Sequence, residues 1–231
     1  MTAFERRLIL GVLISFFVRS MLIPQSAFGQ NETGWKELKS DHFILHHQGS
    51  EASFPERVLR QAESSYEEIA SALGYSRRSE FWTWENRCVI VLYETKEIFQ
   101  TEARQKSWSG GFAVPSERTI VSYQGSQELI DSILPHEIAH LVFNDFLGRD
   151  GARVPLWLNE GLAMAQEKSK QPAFDQLLKK MVSEERWTPV ATLSRVASMK
   201  DASQERAAYF YAQAQSLVRF LMRTSPSRFT G

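Results

Sequence analysis

Leu134-Pro135-His136-Glu137-Ile138-Ala139-His140-Leu141, followed from residue 157 by Trp157-Leu158-Asn159-Glu160-Gly161-Leu162-Ala163, is the stretch on which the reading of this chain turns. On a helix, positions four apart lie on one face, a turn above each other. His136 and His140 can therefore direct both imidazoles at one point. Glu137 sits beside that point and can reach a metal-bound water without being a ligand itself. Glu160 lies twenty residues past His140, in an amphipathic Leu156–Glu167 segment that predicts a second helix. Two histidines and a carboxylate are the three-protein-ligand count of a catalytic zinc site, which keeps its fourth position for water. A neighbouring glutamate is the residue type that takes a proton from such a water.

These residues have plainer readings. Ile130, Ile133, Leu134, Ile138, Leu141, Val142, Phe143, Phe146 and Leu147 make the first segment apolar nearly all round, so it predicts a buried helix. Histidines there can be hydrogen-bonded core residues, or ligands of a metal that only stabilises the fold. Burying two histidines and a glutamate on one stripe is costly unless they are paired or bind metal. Glu160 at its spacing favours metal, and an intact Glu137 favours turnover.

The helix with its HExxH pattern and the Trp-Leu-Asn-Glu-Gly-Leu-Ala helix together resemble the gluzincin group of metallopeptidases. The similarity is closest to bacterial peptidase-MA-like domains, and more distant to leukotriene-hydrolase-type aminopeptidases and thermolysin. It covers roughly Trp108 to Leu221 and is weaker over the first third. The resemblance implies zinc (Zn2+) held by His136, His140 and Glu160, with Glu137 as general base. It implies an α+β, zincin-like fold: a small mixed sheet, an active-site helix and a helical C-terminal half. It also implies a peptide or protein substrate. One family detail departs: thermolysin has an aspartate four residues after its ligand glutamate, holding a histidine by its second ring nitrogen, and here that position is Met164. The partner of each histidine must come from elsewhere, with Asn159, a backbone carbonyl or water as candidates.

Related gluzincins supply an oxyanion donor from a tyrosine on a helix downstream of the ligand glutamate. Two tyrosines fall on the last predicted helix. Tyr211 shares its face with Ala207, Ala214, Val218 and Leu221 and so points inward, whereas Tyr209 lines up with Gln213, Ser216 and Phe220. Tyr211 is the choice and Tyr209 the reserve; a core tyrosine on an apolar stripe is the competing reading. Gly110-Gly111-Phe112-Ala113-Val114 falls where gluzincins place the edge strand that holds an extended substrate, and its small residues would let a peptide backbone approach. As a bare signal it equally suits a turn.

Outward from the motifs, the first residues form a leader. Arg6 and Arg7 precede an apolar run from Leu8 to Val18, and Ala27-Phe28-Gly29 suits cleavage before Gln30. Arg19 cuts the run short of the ~20 residues that span a bilayer. The expectation is a signal peptide over 1–29, a single zincin domain over 30–231, export to the periplasm or beyond, and no stable membrane span after cleavage. Three of the 27 basic and one of the 27 acidic residues lie in the leader, so the mature chain carries a net charge of −2. Nothing in that balance points to nucleic-acid binding, which would need a basic face. Cys88 is the only cysteine, so no intrachain disulfide forms, and it falls in the apolar run Arg87–Tyr93 as an inert core thiol. Nothing in the sequence fixes the oligomeric state.

Periodicity predicts strands at Trp35–Leu38, His42–His46, Arg87–Tyr93, Phe112–Val114 and Thr119–Tyr123. Helices are predicted over Glu51–Leu73, from Thr95 to about Ala103 with Thr95 as N-cap, from Ser126 into the histidine motif, and over Pro172–Glu185 and Ser203–Arg223. Pro135 must bend or restart the motif helix, placing the histidines in the first turns of a new segment. His42 and His46 are four apart, but on a strand that separates them by about 13 Å, so they cannot share a metal and suit the sheet rim. After Arg223 only Thr224–Gly231 remain, where similar domains continue with further helix, which leaves the expectation of a missing segment over the site. The function expected is zinc-dependent peptide-bond hydrolysis. The alternative is a catalytically silent, zinc-stabilised binding or assembly module. Hydrolysis of another amide, such as a cell-wall peptide, would use the same site.

Overall fold

The computed structural model describes residues 34–49, 53–73, 86–103, 110–114, 117–147, 154–199 and 202–224. The leader, its cleavage site, Gly74, the Trp108-Ser109 turn, Pro115-Ser116 and the last seven residues lie outside the described residues. Among the described residues there are five strands: β1 (Lys36–Lys39), β2 (Phe43–His47), β3 (Cys88–Tyr93), β4 (Gly111–Val114) and β5 (Thr119–Tyr123). They form one sheet in the order β1-β2-β3-β5-β4. β2, β3 and β5 run parallel, while β1 and β4 pair antiparallel at the two edges. This is the mixed sheet of an α+β fold, and β4 is an edge strand as its place in the sequence predicts.

The parallel centre is apolar because both faces are covered. Phe43, Leu45, Cys88, Ile90, Leu92 and Ile120 point into a core shared with three helices. These are α1 (Ser53–Ala72), α3 (Leu134–Leu147) and α4 (Leu156–Ala165). The opposite face of the sheet carries Val91 and Val121, packed on Phe99 and Ala103. Phe99 belongs to the short helix α2 (Lys96–Glu102), whose N-cap Thr95 accepts the Ile98 N–H at 3.3 Å. The Cys88 thiol is fully buried, donates to the Arg118 carbonyl at 3.0 Å and has its pKa pushed up by burial, so it is inert.

The second half is helical. After α4 come a 3-10 turn (Lys168–Lys170), α5 (Gln171–Ser183), the single turn α6 (Val190–Leu193) and the long α7 (Gln204–Thr224). They enclose a second core of Met164, Phe174, Met181, Leu193, Phe210 and Tyr211. The most extensive helix–helix seam joins α4 to α7. It needs a glycine: a Cβ on Gly161 would lie 2.6 Å from the Ala214 carbonyl oxygen and 2.7 Å from Val218 Cγ2. Gly161 therefore lets α7 press its backbone against the helix that carries Glu160. No helix among the described residues is long and apolar enough to cross a membrane.

Three expectations are corrected or sharpened. The segment after Glu160 ends as a helix at Ala165, so Glu167 stands outside it and opens a separate turn. His42 does sit at the rim of the sheet, but it is engaged rather than solvated: its Nδ1 meets Glu63 Oε2 at 2.6 Å, its backbone N–H donates to Glu63 Oε1, and its ring lies 4.1 Å from Tyr66, clasping the start of β2 to α1. Gly110 and Gly111 have a packing reason to be small. A Cβ on Gly110 would lie 2.8 Å from Ile133 Cδ1, and one on Gly111 3.0 Å from the Val121 carbonyl oxygen and 3.1 Å from Ile133 Cγ2, so their smallness lets β4 lie against β5 and the element that leads into α3.

Candidate metal centre

Ser126 starts this approach, its Oγ accepting the Leu129 N–H at 3.2 Å. Leu129–Ile133 form one π-helical turn, and the α-helix restarts at Leu134. Pro135 accounts for the break, since it has no N–H to give the carbonyl of Asp131. That carbonyl accepts the Ser169 hydroxyl instead, at 3.3 Å. The restart puts His136, Glu137 and His140 in the first two turns of α3, where every residue from Leu134 to Phe143 is buried.

Across from them α4 presents Glu160, 3 % exposed. One donor atom from each of His136, His140 and Glu160 lies within 4.8 Å of the other two. The imidazole Nε2 atoms are 3.1 Å apart, and His140 Nε2 is 3.9 Å from Glu160 Oε2. Among the described residues this is the one cluster with metal-ligand spacing. A tetrahedral zinc with ligands at about 2.0–2.2 Å places its donors about 3.3–3.6 Å apart.

The hydrogen bonds behind the cluster decide what it can hold. His136 Nδ1 donates to Glu167 Oε1 at 2.8 Å, and His140 Nδ1 donates to Asn159 Oδ1 at 3.1 Å. With both Nδ1 atoms carrying hydrogen, neutral rings direct two Nε2 lone pairs at each other across 3.1 Å. That arrangement is repulsive unless a cation lies between them. Glu160 Oε2 is a further buried acceptor without a hydrogen-bond partner. Three lone pairs converging on one buried point fit a divalent metal.

A single proton is the other cation that satisfies the pair, and the titration behaviour reflects it. Burial opposes charge on His136, but the Glu167 hydrogen bond and the charges of Glu167, Glu137 and Glu160 outweigh it and raise its pKa to about 9. Burial, then the charge on His136, drives His140 down to about 3. Burial raises Glu160 to about 7, against the pull of His136. Glu167 shows the opposite balance: burial is outweighed by His136 and by Lys170, which hold it down at about 2.

Glu137 is 3 % exposed, and its Oε1 has no hydrogen-bond partner. Burial raises its pKa, with His136 opposing and Glu167 adding to the rise, while the Ala113 backbone N–H of β4 favours its charged form. Tyr211 is 1 % exposed on the inner face of α7. Burial, then the charge of Glu160, raises its pKa, so it remains an O–H donor. Tyr209 is engaged elsewhere, accepting from Arg186 at 3.0 Å and stacked under that guanidinium.

Sequence reasoning named Asn159 among the candidate partners, and it does hold His140. It missed Glu167, which takes the holding role that position 164 cannot fill, since Met164 is buried in the second core. The available signal was a carboxylate one turn beyond Met164, where the apolar run Leu162–Ala165 gives way to polar residues.

The sheet, the helix bearing both histidines and the following helix bearing the third donor define a zincin-like architecture. The peptidase MA superfamily model matches residues 84–228, a span that includes every residue of the cluster. The chain belongs to the peptidase MA superfamily, which carries peptidase chemistry at the coarse level. No curated protein matches the chain.

Proposed function

We propose that the protein is an exported zinc-dependent metallopeptidase of gluzincin type, with His136, His140 and Glu160 as ligands. The observation that carries this reading is the pair of Nε2 atoms 3.1 Å apart, each ring held at Nδ1 by an acceptor oxygen, beside the unpartnered Glu160 oxygen. Zinc held there would supply a Lewis acid that acidifies water and polarises a peptide carbonyl. Glu137 takes the proton from the attacking water with its unpartnered Oε1 and passes it to the departing amine as the C–N bond breaks. Tyr211, held as a phenol, donates a hydrogen bond to the oxyanion. The outer edge of β4 takes an extended peptide as an added strand, next to Glu137 through Ala113. Export rests on the basic and apolar start of the chain, and N-terminal sequencing of exported material should begin near Gln30.

The silent-module reading predicts the same metal without turnover. A buried carboxylate oxygen with no partner is a cost such a module has no reason to keep. Glu137→Gln separates the two. It should retain about one zinc per chain and the wild-type fold while cleavage of a peptide library falls ~10²–10⁴-fold. Unchanged cleavage would place the activity elsewhere. Loss of zinc in Glu137→Gln would make Glu137 a ligand rather than a base.

A further inference from the structure

Lysine is almost never buried unless paired. Lys170 is such a case: its side chain is 15 % exposed and its Nζ is buried. It closes the turn Lys168–Lys170, which is fastened on several sides. Lys168 Nζ reaches Glu68 of α1 at 2.7 Å, and Ser169 donates to Asp131 at the Pro135 break. Gln171 Nε2 reaches back to the Ala165 carbonyl at 3.1 Å. The turn is thereby fixed against the metal-bearing helix, with Glu167 at its start.

The two oxygens of Glu167 have separate tasks. Oε1 accepts His136 Nδ1. Oε2 accepts the Ser132 hydroxyl and lies 2.7 Å from Lys170 Nζ. The other carboxylate near Lys170, Glu128, is more distant at 3.6 Å and half exposed. Glu137, Glu160 and Glu167 bring three carboxylates into this interior, each at most 3 % exposed. With neutral imidazoles, a divalent ion and the Lys170 ammonium together balance them.

Resting on the metal-centre reading above, we infer that Lys170 is a positioning residue of that centre. With Ser132 it fixes one oxygen of Glu167, leaving the other aimed at His136 Nδ1, and so sets the direction in which Nε2 points. Deprived of its cation, the Glu167 carboxylate would be a buried charge with one oxygen poorly held, and swinging away from His136 would relieve it. The orientation of the imidazole would go with it.

The test compares the full chain with Lys170→Met, Ser132→Ala, Glu167→Gln and both of the first two in the Glu167→Gln background. Zinc affinity is read by competition with a chromophoric chelator, and ligand geometry from the visible absorption of the cobalt(II) form. Losing a residue that orients a ligand typically weakens metal binding ~10–100-fold. Lys170→Met should weaken zinc about tenfold and alter the cobalt spectrum, and Ser132→Ala several-fold, while neither does so once Glu167 is glutamine. Removing a positive charge would by itself tighten a dication, so weakening has to pass through Glu167. Zinc binding by Lys170→Met at or above wild-type strength overturns the inference, as does equal weakening in both backgrounds. Ser132→Ala carries no charge change, so it decides the matter should Lys170→Met not fold, and an unchanged affinity there also overturns it. Wild-type zinc that survives His140→Ala would instead overturn the metal-centre reading beneath.

Discussion

Gly161→Ala tests whether the seam between α4 and α7 positions Glu160. In an ordinary helix the change stabilises by roughly 0.5–1 kcal/mol, because glycine loses more backbone freedom on folding than alanine. Here the new methyl would sit 2.6 Å from the Ala214 carbonyl oxygen, 2.9 Å from its carbonyl carbon and 2.7 Å from Val218 Cγ2. Carbon contacts settle near 3.5–4.0 Å, so the helices must part by roughly 0.5–1 Å. Two of the three obstructing atoms are backbone, which no rotamer change can move. Overpacking of this kind costs about 1–3 kcal/mol, and with backbone in the way the upper half of that range applies, so the propensity gain is outweighed and the net loss is about 1–2.5 kcal/mol. For a domain of this size that lowers Tm by roughly 2–10 °C. Urea unfolding of chelator-treated protein measures the loss without contribution from metal. Because Glu160 is the adjacent residue, zinc affinity should fall as well. Val218→Ala removes one of the three contacts, so it should cost less in the Gly161→Ala background than alone. A Gly161→Ala protein as stable as wild type would show that the seam yields freely and that glycine is not needed there.

Tyr211→Phe should keep zinc and lower turnover ~10²–10³-fold as one oxyanion donor is lost, read from kcat on any cleaved peptide. Tyr209→Phe, which removes a hydroxyl bound to Arg186, should leave kcat unchanged and loosen only the contact of that arginine. Asn159→Ala should weaken zinc ~10–100-fold by releasing His140, measured by chelator competition, with a comparable loss expected for Glu167→Ala. The metal-free protein should lose stability as pH rises from about 6.5 to 9. Across that window the folded state keeps a proton on His136 that the unfolded chain has released, and Glu160, raised to about 7, adds to the slope at its lower end. Denaturant midpoints with chelator between pH 6 and 9 check this, and saturating zinc, which replaces the proton between the imidazoles, should remove the decline.

How much of this was legible in the sequence depends on how far each feature is carried by one element. The histidine pair needs only the 3.6-residue period, so His136 and His140 could be placed on one face without knowing the fold. The order of strands and helices likewise follows from local alternation, and the ends of α1, α5 and α7 fall within two residues of those expected. Pro135 predicted a broken helix, but its form, a π-helical turn closed by Ser169 from another segment, needed the tertiary contact.

The misses share a cause. The packing role of Gly110 and Gly111 could not be read because the sequence cannot show that Ile133, more than twenty residues later, lies against them. Glu167 lies just past the end of α4, where helical period no longer aims a side chain. The resemblance directed attention to position 164 on the helix itself, one turn too early. What places the Glu167 carboxylate against His136 is the fastened turn that follows: Lys168 on Glu68, Ser169 on Asp131 and Lys170 on Glu167. On the proposed reading, ligand identity is thus written locally in two helices, while ligand orientation is set by a turn that only the packed molecule defines. Substitutions in that turn should therefore alter how tightly the centre holds metal while leaving the histidine–glutamate motif untouched.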